Sequence, residues 1–146
     1  MTLRSLLDVN VLLALQDQAH VHHETAMRWL AGHLDGGWAS CPLTQNGCLR
    51  ILSRPGHPNA QTPNAVRERL AEATSHEMHR FYADDFSLLG PGVLNWSHIT
   101  GSRQLTDAYL LALAVRHGLR LVTFDRGIPL HAVPGARPEH LVTLVS

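Results

Sequence analysis

The chain has 146 residues, a length typical of one domain, and its 45% hydrophobic and 16% charged residues exclude a disordered protein. The 12 basic and 12 acidic residues cancel, which excludes a strongly cationic nucleic-acid-binding coat but leaves room for a local basic patch. All 12 basic residues are arginine, so the chain has neither a Schiff-base lysine nor a phosphate-loop lysine. We therefore expect one domain over residues 1–146.

Cysteine usage and the N-terminal segment predict a cytoplasmic protein. Cys41 and Cys48 are too few for a disulfide framework or a four-ligand zinc site, so we expect reduced, partly buried thiols. Arg4 precedes an apolar stretch that resembles a secretory signal, but Asp8 and Asn10 interrupt it. No run approaches the ~18 apolar residues of a membrane span, so no membrane association is expected.

In the first half of the chain, apolar spacing predicts two short strands and three helices. The predicted strands are Leu3–Leu7 and Trp38–Cys41, and the predicted helices cover Val11–Gln16, 22–34 and a segment after Pro42 that ends before Pro55. Proline, glycine and asparagine then indicate a loop from Arg54 to Pro63.

The second half continues the alternation of strands and helices. It predicts a helix over 64–74, a strand over 79–82, a long helix capped by Thr106 and ended by Gly118, and strands Arg120–Phe124 and Leu141–Val145. Such alternation favours a parallel sheet covered by helices on both faces. Ligands of such sheets bind at the carboxyl ends of the strands.

Three carboxylates are expected at that edge of the sheet. Asp8 and Asp125 follow predicted strands, and Asp107 opens the long helix. Taken singly, Asp107 suits a helix start and Asp125 a turn, whereas Asp8 lies between apolar runs and needs a partner or a function. Clustered carboxylates hold a cation or shift a pKa, and oxygen ligands without cysteine or histidine favour Mg²⁺ or Mn²⁺.

Four segments together resemble the motifs of a known family. These segments are Leu6–Leu13, Thr44–Gln45, Leu105–Leu110 and Leu121–Asp125. They are similar, in order and spacing over nearly the whole chain, to the motifs of PIN-domain ribonucleases, and above all to the VapC toxins of type II toxin–antitoxin systems. The resemblance implies a single PIN-like domain over 1–146 with a three-layer α/β/α fold and a mainly parallel central sheet. It also implies metal-dependent cleavage of RNA, homodimerisation and inhibition by a VapB-type antitoxin.

The resemblance assigns roles to individual residues. Asp8, Asp107 and Asp125 would bind the metal, Mg²⁺ or Mn²⁺, and carry catalysis. Gln45 stands where the family usually has a glutamate. Its carbonyl oxygen can accept a hydrogen bond from metal-bound water but adds no charge, which leaves open whether one or two metals bind. Glu24, Asp17 and Asp84 are possible substitutes that no pattern singles out.

Two polar residues are expected to support the carboxylates. Asn10 either bonds the backbone around Asp8 and orients it, or caps the helix that follows. Thr123 resembles the family's hydroxyl before the last acid and would support a ligand, although strand propensity alone also explains a threonine there.

Further polar residues fit an RNA site less specifically. Three clustered histidines, His20, His22 and His23, are expected to be solvated residues at a helix start. Four arginines are candidate contacts to RNA phosphates, namely Arg50, Arg54, Arg103 and Arg126.

Two other functions fit parts of the sequence pattern. A phosphoryl-transfer enzyme of the haloacid-dehalogenase or receiver type also has an acid after the first strand, but those families typically need a lysine that this chain lacks. The second is a metal-depleted PIN-like binding module without catalytic activity, a consequence of the neutral Gln45. We predict a metal-dependent endoribonuclease.

Overall fold

Five parallel strands form the central sheet of the protein, whose computed structural model describes residues 2–145. In chain order the strands are β1 (Arg4–Leu7), β2 (Trp38–Ser40), β3 (His79–Phe81), β4 (Leu119–Thr123) and β5 (Leu141–Thr143). Their order across the sheet is β3-β2-β1-β4-β5, and every pairing is parallel. The carboxyl ends of all five strands therefore meet at one edge, which we call the carboxyl edge.

The α-helices of the described residues connect these strands. They are α1 (Val9–Gln16), α2 (His23–His33), α3 (Pro42–Leu52), α4 (Pro63–Thr74) and α5 (Gln104–His117). Pro42 and Pro63 each occupy the first turn of their helix, where the missing N–H costs nothing. Gly118 ends α5 in the left-handed conformation, with φ of 67°, as the sequence predicts.

Alternating side chains of β1 and β4 build a core on each face of the sheet. Leu6 and Leu121 face α5, whereas Leu7 and Val122 face the opposite layer, which comes from α1 to α4. Because both faces are covered, the central strands are apolar at successive positions rather than at alternate ones. This arrangement confirms the predicted three-layer α/β/α fold and shows that the sheet is entirely parallel.

Two predicted helix starts are wrong. α1 begins at Val9, with Asp8 as its N-cap, so neither a start at Val11 nor capping by Asn10 is correct. α5 begins at Gln104, and Thr106 lies inside its first turn rather than capping it. The side chain of Gln104 accepts the backbone N–H of Thr100 at 2.7 Å, which tethers the helix start to the preceding loop.

The remaining boundaries differ from the predictions by one or two residues. β4 ends at Thr123, so Asp125 lies two residues beyond the strand, and β5 ends at Thr143. Cys41 is the N-cap of α3 rather than the end of β2. Across residues 2–145, every helix is too short or too polar to cross a membrane.

Candidate active site

Asp8 occupies the junction between β1 and α1 at the carboxyl edge. Its backbone N–H donates to the carbonyl of Val122 at 2.9 Å, which ties the junction to the neighbouring strand β4. One carboxylate oxygen, Oδ1, accepts the N–H of Val9 at 2.7 Å, so the side chain also caps α1. Only 6% of Asp8 is exposed. The hydrogen bond to β4 and the first turn of α1 therefore fix the position of this carboxylate.

Thr123, the last residue of β4, holds the site together through its hydroxyl. The hydroxyl donates to Oδ2 of Asp8 at 2.7 Å. It also accepts the side-chain N–H of Asn10 at 3.2 Å and the backbone N–H of Asp125 at 3.0 Å. Thr123 is fully buried, so water cannot replace these partners without local opening. One side chain thus couples the junction after β1 to the loop after β4.

Asn10 and Asp125 each bond the backbone of the loop after β4. The Asn10 carbonyl accepts the N–H of Phe124 at 3.2 Å, so its side chain bridges α1 and this loop. Asp125 accepts the N–H of Gly127 through Oδ1 at 2.8 Å and is exposed. Asn10 therefore positions the loop that carries Asp125.

Asp107 lies in the first turn of α5, facing the two acids of the neighbouring loops. Burial raises its pKa to about 7, and the charge of Asp8 together with a hydrogen bond and charge from Asp125 adds to the effect. Burial likewise raises the pKa of Asp8, against which the Thr123 and Val9 hydrogen bonds act. The three acids therefore lie close enough to repel one another, and the cluster retains a proton near neutral pH.

Gln45 lies in the first turns of α3, also at the carboxyl edge. Its amide nitrogen donates to the Ser40 hydroxyl at 2.9 Å, and that hydroxyl contacts Nε2 of His79 at 2.8 Å. The Gln45 side chain thus joins a polar network between α3, β2 and β3. The hydrogen bonds of the described residues do not link it to the three acids, and its place in a metal site stays a prediction.

The acid cluster fits a hard divalent cation by its chemistry. Within residues 2–145, no three His, Cys, Asp or Glu side chains form a preformed metal cage. One reason is that oxygens of Asp8 and Asp125 are engaged with N–H and O–H groups of their own loops. Three carboxylates that retain a proton near neutral pH are nevertheless a donor set in which a cation can replace that proton. Asp8, Asp107 and Asp125 would hold it.

The parallel topology separates the four arginines named from the sequence. Arg103 precedes α5 and Arg126 follows Asp125, so both belong to the carboxyl edge. Arg50 lies about 12 Å along the helix axis from Pro42, and Arg54 lies beyond the C-terminal end of α3. Only the first pair is placed to contact RNA at the acid cluster.

The three histidines contact the protein rather than solvent alone. His23 bonds the carbonyl of Ala14 through Nδ1 at 2.7 Å, and Nδ1 of His20 accepts the N–H of His22. The His22 ring stacks on Phe124, with centroids 4.7 Å apart, beside the loop that carries Asp125. These contacts order the start of α2, where the histidines were expected, and the three residues are half-buried rather than fully solvated.

Known proteins share this architecture. The family model described as "PIN domain" matches residues 5–134. Among curated proteins of Mycobacterium tuberculosis, "Ribonuclease VapC44" is 49% identical over 142 residues, covering 97% of this chain and 100% of its own length. "Ribonuclease VapC38" of the same organism is 44% identical over 143 residues, covering 97% of this chain and 98% of its own.

A solved structure shows the same fold at much lower identity. The crystal structure of Mycobacterium tuberculosis VapC20, described as a toxin that cleaves the sarcin–ricin loop, superposes with a TM-score of 0.59. The match has 17% identity and covers 92% of this chain and 99% of VapC20. The resemblance predicted from the four sequence segments is therefore confirmed. The chain belongs to the PIN domain family, in its VapC branch.

Proposed function

We propose that this protein is a Mg²⁺- or Mn²⁺-dependent endoribonuclease toxin that a VapB-type antitoxin neutralises. The observation that carries the proposal is the convergence of three carboxylates at the carboxyl edge, where burial first, and then the charges of Asp8 and Asp125, raise the pKa of Asp107 to about 7. A protein that keeps such a cluster stores an unfavourable interaction that a divalent cation relieves. The VapC relatives, named as ribonucleases, supply the reaction class.

Each residue has a distinct task in this proposal. When bound, a divalent cation lowers the pKa of a bound water and offsets negative charge on a phosphodiester. Asp8 is the fixed ligand, because Val9 and Thr123 hold its oxygens. Asp107, which carries a proton near neutral pH, would bind the cation in its ionised form, and Asp125, on its exposed loop, would be the third ligand.

Five other residues complete the site. Thr123 and Asn10 orient the acids through the hydrogen bonds described above. The Gln45 carbonyl accepts a hydrogen bond from water at the edge. Arg103 and Arg126 contact the RNA phosphates.

The negative charge of the acid cluster also indicates how the antitoxin would bind. A cleft of carboxylates attracts a guanidinium, so the antitoxin inserts an arginine or lysine there or blocks the cleft sterically. An inhibited complex that still binds Mn²⁺ and RNA as well as the free protein would contradict this mechanism.

A homodimer, one domain over 1–146 and a cytoplasmic location are part of the proposal, and the free, buried thiols of Cys41 and Cys48 suit a reducing compartment.

One observation favours a second candidate, a PIN-like binding module without catalysis. Gln45 is neutral and bonded to Ser40, so it adds no fourth carboxylate to the acid cluster. A module of this kind binds RNA but does not cut it in any divalent metal.

The deciding experiment is RNA cleavage in Mg²⁺, in Mn²⁺ and in EDTA, with two matched variants. Asp8→Asn keeps a side chain that can cap α1 and removes one ligand charge, so we expect cleavage to be lost with the fold retained. Asp35→Asn removes an exposed acid remote from the carboxyl edge and leaves cleavage unchanged. Circular dichroism verifies folding. Metal-dependent cleavage that persists in Asp8→Asn would refute the three-acid site, whereas no cleavage by the wild type in either metal would favour the binding module.

A further inference from the structure

Next to the acid cluster, the carboxyl edge carries a cavity of about 430 Å³, which we call the side cavity. Leu43 of α3 and Leu88 of the loop after β3 form part of its apolar wall. Leu105 and Thr106 of α5 form another part, and the next residue of that turn is Asp107. The side cavity therefore lies beside the proposed cleavage site, on the same turn of α5.

One wall of the side cavity is aromatic. Phe86 and Tyr109 stack with their rings almost parallel, at 5° and 4.5 Å between centroids. The guanidinium of Arg116 lies over the Phe86 ring, 5.2 Å from its centroid, so Tyr109 and Arg116 occupy the two faces of Phe86. The outer face of Tyr109 is then the surface of this pair on which a planar ligand can stack, and unpaired nucleobases bind proteins chiefly by such stacking.

A single carboxylate gives the side cavity its polarity. Oδ2 of Asp84 accepts the backbone N–H of Leu43 at 3.1 Å, in the first turn of α3, which directs this exposed carboxylate toward the helix start. A carboxylate has about four acceptor positions, so Asp84 can accept further hydrogen bonds from a ligand. The side cavity therefore combines an aromatic wall with an oriented acceptor and selects a planar ligand with N–H donors.

We propose that the side cavity binds one guanine base of the RNA strand whose phosphodiester lies at the acid cluster. This inference rests on the proposed function. Guanine is the base that presents two adjacent N–H donors, N1–H and N2–H, on its Watson–Crick edge, and a carboxylate accepts both. Thr106 adds a hydroxyl at the rim. The side cavity is thus the specificity-determining subsite, and Asp84 is the residue that recognises the base.

The test compares binding of three labelled pentanucleotides in EDTA and low salt, where no cleavage occurs. The strands are uridine pentanucleotides whose central nucleoside is guanosine, inosine or uridine. Inosine lacks the N2 amino group, and loss of one charge-assisted hydrogen bond predicts about ten-fold weaker binding than guanine. Asp84→Asn reduces that guanine preference to less than two-fold. Asp85→Asn, which removes the adjacent acid bonded to His117 at the surface, retains it.

Each outcome decides the question independently of catalysis. Preference for guanine that falls only in Asp84→Asn supports the subsite, even if the protein proves to be a binding module. Equal affinity of the wild type for all three strands overturns it, as does an equal loss in both variants. A change of oligomer mass in Asp84→Asn without a change in base preference also overturns it, because a second copy of the chain would then occupy the side cavity.

Discussion

Replacing Asp107 with asparagine is the most informative single change, because it removes the charge that the fold tolerates least. Asparagine has the shape of a protonated aspartate, so the packing of α5 is retained. The folded-state pKa is about 7, against an ordinary value of 3.8. The native protein therefore binds this proton more tightly than the unfolded chain does. Without metal, the contribution of Asp107 to the stability of the wild type is therefore greatest below pH 3.8. This contribution falls as the pH rises toward 7.

The size of the effect follows from the pKa difference. About 3 pKa units at 1.36 kcal/mol each give an upper limit of about 4 kcal/mol. Asp107 is half-exposed, so solvent screening reduces this to about 2 kcal/mol. Removing the acid from the first turn of α5 costs about 0.5 kcal/mol of helix-dipole stabilisation. We therefore expect metal-free Asp107→Asn to be more stable than the wild type at pH 8 by about 1.5 kcal/mol, or about 5 °C in Tm.

Thermal unfolding of both proteins in EDTA between pH 4 and pH 8 measures this difference, with Asp35→Asn as the control for an exposed acid. The gap between wild type and Asp107→Asn opens as pH rises, whereas Asp35→Asn follows the wild type. Saturating Mn²⁺ at pH 8 raises the Tm of the wild type more than that of Asp107→Asn. Parallel pH profiles for the wild type and Asp107→Asn would refute the reasoning, because burial and the neighbouring acids would then not raise the pKa of Asp107 in the folded protein.

Three further substitutions test neighbouring parts of the site. Thr123→Val preserves shape but leaves one oxygen of the buried Asp8 carboxylate and two N–H groups without that hydroxyl, so urea unfolding shows a loss of about 2 kcal/mol; an unchanged midpoint would contradict the hydroxyl network. Gly47→Ala gains about 1 kcal/mol of helix propensity, but the new Cβ lies 2.8 Å from Cγ2 of Val9, whose branched side chain is stiff. Overpacking at about 1–3 kcal/mol outweighs the gain, so the Tm falls, and a higher Tm would show that α1 and α3 can move apart. Gln45→Glu adds a fourth carboxylate, and calorimetric titration is expected to show tighter Mn²⁺ binding with slightly lower metal-free stability; equal affinities would place Gln45 outside the metal site.

Much of the fold was predictable because buried parallel strands are apolar at consecutive positions. β1 and β4 are such strands, and the acids after them follow from the topology alone. Helix starts were less predictable, since local patterns offer competing caps. Asn10 and Thr106 both fit the cap preference, yet the chain uses Asp8 for α1 and tethers Gln104 to Thr100 for α5.

The sequence patterns did not predict contacts between distant segments. Gln45 was singled out as a site residue, but its bond to Ser40 and that residue's contact with His79 depend on the pairing of β2 with β3. The stacked pair of Phe86 and Tyr109 is separated by an irregular loop, for which no periodicity exists. The acids were identified because strand ends are fixed by topology, whereas the side cavity required the packed structure.

The placement of charges along the strands gives this electrically neutral chain a permanent dipole. Asp8, Asp107 and Asp125 lie at the carboxyl edge, and Arg4 and Arg120 lie at the amino ends of β1 and β4. Since the whole chain carries no net charge, long-range attraction cannot bring a polyanion to the protein, and the acidic pole repels it. A divalent cation bound by the three carboxylates leaves a formal charge of about −1 there, so it weakens this repulsion. Metal and polyanion are therefore coupled thermodynamically, and each strengthens the binding of the other by the same factor.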